Sequence, residues 1–244
     1  MAERNSVAQN KSAGLITPLP PSCHYFPNFI TAAEESLILS QINSTPLSRW
    51  TKLSHRRLLS IPGPLTGANR DTLITAPLPA YLVETILSRF ASLEIFSGSP
   101  HQAPNHVLIN EYAPGQGIMP HEDGPAYFPV TATVSLGSAI VLDIYEKNGQ
   151  SECESTAKWR ILQEPRSLLV TSGDMYRDTL HGIAEVQSDE ELNSESIVNW
   201  SLLGSTETFA NGISERKART SLTYRDVIKV ASVGGAMKFL QGKR

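Results

Sequence analysis

A histidine and an aspartate stand two residues apart in His121-Glu122-Asp123, and a further histidine, His181, lies far downstream. Two imidazoles and one carboxylate can bind one face of a non-haem Fe(II) ion, leaving three positions open for a cosubstrate and dioxygen. The pair alone is a weak signal: with six histidines in 244 residues, a His-x-Asp arises by chance in roughly one such chain in six. At the end of a strand, however, residues i and i+2 point the same way, so His121 and Asp123 can reach a single ion. His181 is preferred as the third ligand because the adjacent Gly182 permits close backbone approach. His106 is the rival, since it would share a strand face with Leu108, Asn110 and Tyr112.

A cosubstrate needs its own anchors. The run Arg219-Thr-Ser-Leu-Thr-Tyr-Arg225 reads as a strand, and alternation places Arg219, Ser221, Thr223 and Arg225 on one face. Facing inward, such residues are costly to bury unless something pairs with them. A dicarboxylate would do so, because a guanidinium fork binds a carboxylate bidentately. The plainer alternative is the polar outer face of an edge strand. Asn110 and Tyr112, also two apart, could add an amide and a phenol to the same ligand.

These groups must be held by a scaffold. Thr31-Ala-Ala-Glu34 is a capping-box pattern that predicts a helix to about Asn43, with Leu37, Ile38 and Ile42 on one face. Leu82, Val83, Ile86, Leu87 and Phe90 predict a second helix over 79–93. After residue 104, short β-branched and aromatic runs predict strands over 105–112, 130–138, 139–145, 166–171 and 219–230. Helices followed by strands point to a mainly β core braced by helices. Residues 1–22 read as a flexible lead, 46–78 as irregular surface structure, and 147–158 and 187–217 as mobile polar insertions.

At 244 residues the chain fits one domain over 23–244, and 40% hydrophobic residues suffice for a core. A net charge of -3 excludes a globally basic nucleic-acid binder and leaves room only for a local basic patch. Cys23 and Cys153 have no CxxC spacing and read as two reduced thiols. No signal peptide or membrane span is visible, so a cytoplasmic and nuclear protein is expected, with no membrane partner.

Asn110-x-Tyr112, His121-x-Asp123, the distant His181 and Arg219-x5-Arg225, in that order, resemble the AlkB family of Fe(II)- and 2-oxoglutarate-dependent dioxygenases. The longer text from Val107 to Pro125, with Glu164-Pro-Arg-Ser-Leu-Leu-Val, is similar to the type of the sixth animal AlkB homologue. The resemblance spans about residues 23–230 and implies a double-stranded β-helix (jelly roll) with iron at one mouth. It places His121, Asp123 and His181 on the metal ligands. Asn110, Tyr112, Arg219, Ser221 and Arg225 fall on the 2-oxoglutarate contacts, with Arg219 holding the far carboxylate. Ser221 stands where many relatives have Asn, and the acidic stretch after His181 is a further departure.

In that family the segment before the β core covers the target base. Here it carries Arg49-Trp50-Thr-Lys52-Leu-Ser-His55-Arg56-Arg57, in which Trp50, Lys52, Arg56 and Arg57 could grip a phosphate backbone and stack on a base. Tyr127 is a candidate pocket wall. The resemblance implies oxidation, in particular demethylation, of an alkylated base in single-stranded DNA or RNA, using Fe(II), 2-oxoglutarate and dioxygen; a monomer is expected. A protein hydroxylase or demethylase, or a catalytically idle jelly roll that only binds, remains open at this point.

Overall fold

β-Branched and aromatic residues favour a pleated, half-buried backbone, and most of this chain adopts one. The computed structural model describes residues 12, 14–147 and 156–232. In chain order the strands are β1 (Cys23–Phe26), β2 (Thr51–Leu53), β3 (Arg56–Ile61), β4 (Thr72–Ile74), β5 (His106–Tyr112), β6 (Ile118–His121), β7 (Val130–Leu136) and β8 (Ile140–Glu146). They continue as β9 (Trp159–Gln163), β10 (Leu168–Ser172), β11 (Thr179–Ile183), β12 (Ser188–Asp189), β13 (Ser214–Glu215), β14 (Arg219–Arg225) and β15 (Lys229–Ala231). The helices used below are α1 (Ala32–Asn43), α2 (Ile86–Ser92) and α3 (Gly173–Arg177).

Two antiparallel sheets form the core. The larger runs β1-β10-β7-β14-β5-β3-β2 and the smaller β6-β11-β8-β9. Between them lies an apolar layer that draws Cys23, Tyr25, Tyr112 and Leu169 from the larger sheet and Ile140, Leu142, Ile144, Ile161 and Ile183 from the smaller. The outer face of the larger sheet, with Val107, Ile109, Val134, Leu222 and Tyr224, buries Ile38 and Ile42 of α1 and Ile86 and Phe90 of α2. This is a jelly roll with one face braced by helices, as expected.

α1 begins as its sequence dictates. The Thr31 side chain accepts from the Glu34 N–H, and the Glu34 carboxylate accepts from the Thr31 N–H, so two end donors are satisfied reciprocally. Ile38 and Ile42 are buried, but Leu37 is 57% exposed and does not belong to that face. The second expected helix is shorter than its apolar pattern. A 3-10 turn at Ala80–Leu82 precedes α2, and the residues between them join the two around Leu82 and Ile86, both fully buried.

Four expectations are corrected. The lead is packed from Gly14 onward: Ile16 and Leu19 lie in the inter-sheet core, and Leu15 bridges His24. Residues 46–78 are not irregular throughout, because β2 and β3 extend the larger sheet through β5, and β4 pairs with β15 in parallel. The stretch 187–217 is an ordered pad. Its Leu192, Ile197 and Phe209 pack on Val141 and Leu162 behind the smaller sheet, and its buried Asp189 and Arg216 pair with each other. Interleaved charges hid those widely spaced apolar residues from a periodicity argument. Finally, the last strand ends at Arg225, and β15 is a separate element. Most of the 147–158 insertion, with Cys153, lies outside the described residues.

Candidate metal and cosubstrate site

His121 ends β6 and His181 sits in β11, a strand that the sequence pattern does not predict, since the expected strand before it stops at residue 171. The two are register partners across the antiparallel β6–β11 pair, which brings their ring centroids to 4.4 Å. Asp123 follows two residues after His121. Ligand atoms of His121, Asp123 and His181 all lie within 4.8 Å of one another. The approach of the two strands depends on missing side chains, since a Cβ on Gly182 would stand 3.1 Å from Ile118 O and Pro120 N. The rival His106 is elsewhere: it is buried beside Ser60, whose hydroxyl lies 2.8 Å from His106 Nε2.

Electrostatics prepares the three groups. Burial lowers the pKa of His121 and brings that of His181 to about 4, so both rings are neutral near pH 7 and offer a lone pair. His121 Nδ1 lies 3.0 Å from Met119 O; an Nδ1–H donating to that carbonyl leaves Nε2 free for a metal. Burial raises the pKa of Asp123, but the Arg225 guanidinium, His181 and the Thr131 hydroxyl outweigh it, and the carboxyl is held below its usual range. Thr131 Oγ1 donates to Asp123 Oδ2 at 2.8 Å, and Arg225 Nη2 donates to Oδ1. An ionised carboxylate has about four acceptor sites, so capacity for a metal remains. Two neutral imidazoles and a carboxylate fit Fe(II) as a donor set.

The triad opens into a cavity of about 270 Å³ between the sheets. β14 is central in the larger sheet, flanked by β5 and β7, so its polar face points inward and the edge-strand alternative falls. Register pairs Arg219 with Tyr112 and Ser221 with Asn110. Asn110, Tyr112, Arg219, Ser221, Thr223 and Arg225 all line the cavity. Arg219, only 2% exposed, donates from Nε to Ser135 Oγ at 2.9 Å and from Nη2 to Gln163 Oε1 at 3.1 Å. Arg225 already has an anionic partner in Asp123, whereas no carboxylate reaches Arg219 among the described residues. A buried cation with neutral partners is the group a bound diacid would satisfy.

The substrate candidates divide. Arg56 lines the cavity and donates from Nε to Asn110 Oδ1 at 3.2 Å. Arg57, one residue on, must face the other way. Its guanidinium lies 4.2 Å from the Trp50 ring centroid and pairs with Glu111 at 2.7 Å. Trp50 packs on the helix-side core, so neither residue lines the cavity. Lys52 is exposed on β2. Tyr127 sits behind the lining, with Arg225 at 4.8 Å and His106 at 5.9 Å from its ring. Among the lining residues that the sequence does not single out, three make polar contacts at the site: Thr131, which holds Asp123; Tyr176, which donates to Gly124 O at 2.9 Å; and Gln163, which accepts from Arg219. Thr131 fell in an expected strand. The other two lie on α3 and β9, short elements without a periodic signature.

A family model described as "2OG-Fe(II) oxygenase superfamily" matches residues 22–225. The chain is 38% identical over 222 residues to a Danio rerio protein named "Probable RNA/DNA demethylase ALKBH6", covering 88% of this chain and 90% of that one. It is 28% identical to the Xenopus tropicalis "tRNA (carboxymethyluridine(34)-5-O)-methyltransferase alkbh8", covering 86% of this chain but 32% of the relative. Among solved structures it is similar to OsALKBH1, with TM-score 0.55, 14% identity, and 85% and 98% of the two chains covered. A Pseudomonas putida prolyl-4-hydroxylase gives TM-score 0.50 at 12% identity, covering 88% and 98%; both likenesses bear on fold alone.

Proposed function

The chain belongs to the 2OG-Fe(II) oxygenase superfamily and is an Fe(II)- and 2-oxoglutarate-dependent dioxygenase, and from that premise we propose that it oxidatively demethylates an alkylated nucleic-acid base. The observation that carries the site is one cavity holding the His121, Asp123 and His181 donor set beside Arg219, a buried guanidinium with no anionic partner among the described residues. The substrate class is supported by relatives whose names specify RNA, DNA and tRNA. It is also supported by Arg56 at the cavity, with Lys52 and His55 exposed on the same hairpin.

When bound, Fe(II), 2-oxoglutarate and dioxygen would supply oxidative decarboxylation of the diacid to succinate and carbon dioxide coupled to hydroxylation of a substrate C–H bond, with one oxygen atom of dioxygen going to succinate and the other to the hydroxyl. On an N-methyl group the hydroxylated carbon leaves as formaldehyde. The chain's own residues position and insulate this chemistry. His121, Asp123 and His181 would hold the metal, and Thr131 and Arg225 fix the carboxylate that does so. Arg219 and Tyr112 would seat the far carboxylate of the diacid. Leu142, Ile144 and Leu169 keep that part of the cavity apolar, which excludes water and strengthens each charge interaction. A base in a duplex would have to leave its stack to reach the triad.

The test is succinate release by the iron-loaded protein with methylated single-stranded oligonucleotides and methylated peptides, scored by mass for loss of a methyl group, with His121→Ala as control. Turnover on oligonucleotides supports the proposal. Turnover confined to peptides, or none with any member of the set, overturns it in favour of a protein oxygenase or an idle binder. We also propose a monomer in the cytosol and nucleus, with which the buried, unpaired thiol of Cys23 is in keeping.

A further inference from the structure

Gln163 ends β9, in the smaller sheet, yet its carboxamide accepts from Arg219 of the larger sheet across the cavity. The side chain is buried and lines the cavity. Nothing about the fold requires an amide there. A carboxylate of the same length would accept the same hydrogen bond and would also neutralise the guanidinium, which burial otherwise disfavours strongly enough to bring its pKa to about 10. Asp189 favours the charge of Arg219 only weakly, and it is itself paired with Arg216. Arg219 is therefore held by neutral oxygens, from Ser135 and Gln163, that fix its orientation without compensating its charge. With Oε1 engaged, Gln163 Nε2 is left as a donor beside the same guanidinium.

We propose that Gln163 determines cosubstrate specificity: it holds Arg219 in place while keeping its charge uncompensated, and its Nε2 donates to the far carboxylate that Arg219 takes. The cavity thereby selects 2-oxo diacids over 2-oxo monoacids. The inference rests on the dioxygenase reading above and concerns how this chain enforces it. A glutamate at this position would form an internal ion pair with Arg219 and repel the incoming carboxylate, so one isosteric change should reverse the preference.

The experiment is calorimetric titration of the manganese(II)-loaded protein with 2-oxoglutarate and with 2-oxopentanoate, which has the same five-carbon chain with a methyl in place of the far carboxylate. The wild type should bind the diacid at least about a hundredfold more tightly, as expected for a desolvated charge-assisted pair. In Gln163→Glu the diacid should weaken by about the same factor, while 2-oxopentanoate binds as well as to the wild type or better. Gln163→Met, which keeps the volume and loses the amide, should weaken the diacid about tenfold and leave the monoacid unchanged. Unaltered diacid binding in both variants overturns the proposal, as does equal loss of both acids, the mark of a merely structural residue. Failure of the wild type to bind 2-oxoglutarate would overturn the dioxygenase reading itself, a result separable from either of these.

Discussion

His121 and His181 are direct cross-strand neighbours on β6 and β11, with ring centroids 4.4 Å apart. Their separation is thus set by backbone pairing and not by loop conformation. Backbone pairing fixes positions to a few tenths of an ångström, the tolerance a metal site needs. The register slips between His181 and Ile183, and the irregularity occurs where Gly117 and Gly182 let the two backbones close up.

Gly117 is the position to test. A Cβ there would fall inside van der Waals contact with Ile183 O, which is backbone and cannot swing away. Gly117→Ala should push β6 from β11 and move His121 relative to His181. The expected result is at least a tenfold loss of manganese(II) affinity by calorimetry, with far-UV circular dichroism unchanged. Full affinity would show that the triad tolerates a displaced strand.

Asp123 and His121 should differ sharply in what their loss does to the metal-free fold. Asp123→Ala strands the buried Arg225, whose Nε already lacks a partner, and should cost about 3–5 kcal/mol. His121→Ala leaves no charge unpaired and should cost on the order of 1 kcal/mol. Urea unfolding in the presence of a chelator measures both. Equal losses would mean that the Asp123–Arg225 pair does not exist in the apoprotein.

The contrast between what the sequence revealed and what it hid follows from the range of the interactions. His121-x-Asp123, Asn110-x-Tyr112 and the alternation of β14 are local patterns, and each turned out to face one cavity. Thr31 and Glu34 likewise signal α1 within one turn. What failed was non-local. Arg56 and Arg57 are adjacent in sequence, and only the pairing of β3 with β5 decides which of them enters the cavity. Gln163 meets Arg219 through sheet-to-sheet packing, which leaves no trace near either residue. The 187–217 pad was hidden because its apolar residues match the shape of the smaller sheet and follow no period of their own.

Histidine burial sets an acid limit on the metal-free protein. The folded-state pKa values of His106 and His181 are each brought to about 4, by burial first, from an ordinary value of 6.5. As pH falls below 6.5 the unfolded chain takes up protons that the folded chain refuses. Stability is therefore retained above 6.5 and lost progressively down to about 4, by on the order of 3 kcal/mol for each group. Urea midpoints of the chelated protein should drop steadily between pH 7 and 4.5, and His106→Asn should flatten part of that slope. A midpoint constant across the range would refute the neutral buried histidines.

Arg56 and Arg57 give the sharpest test of how a nucleic acid would approach. Both are basic and adjacent, so a gripping role based on composition alone predicts equal effects. The structure separates them: Arg56 lines the cavity beside Asn110, whereas Arg57 is engaged with Glu111 and Trp50 on the opposite face. If a phosphate of the strand lies against Arg56, Arg56→Ala should lower the slope of log affinity against log salt by about one contact, roughly 0.7 for a single strand. Arg57→Ala should leave that slope unchanged and instead lower stability, since it removes a half-buried ion pair and a stacked cation. Fluorescence anisotropy with a labelled single-stranded oligonucleotide at several salt concentrations reads the slope, and urea unfolding reads the stability. Matching salt slopes for the two variants would place the contact on the exposed hairpin as a whole, away from the cavity.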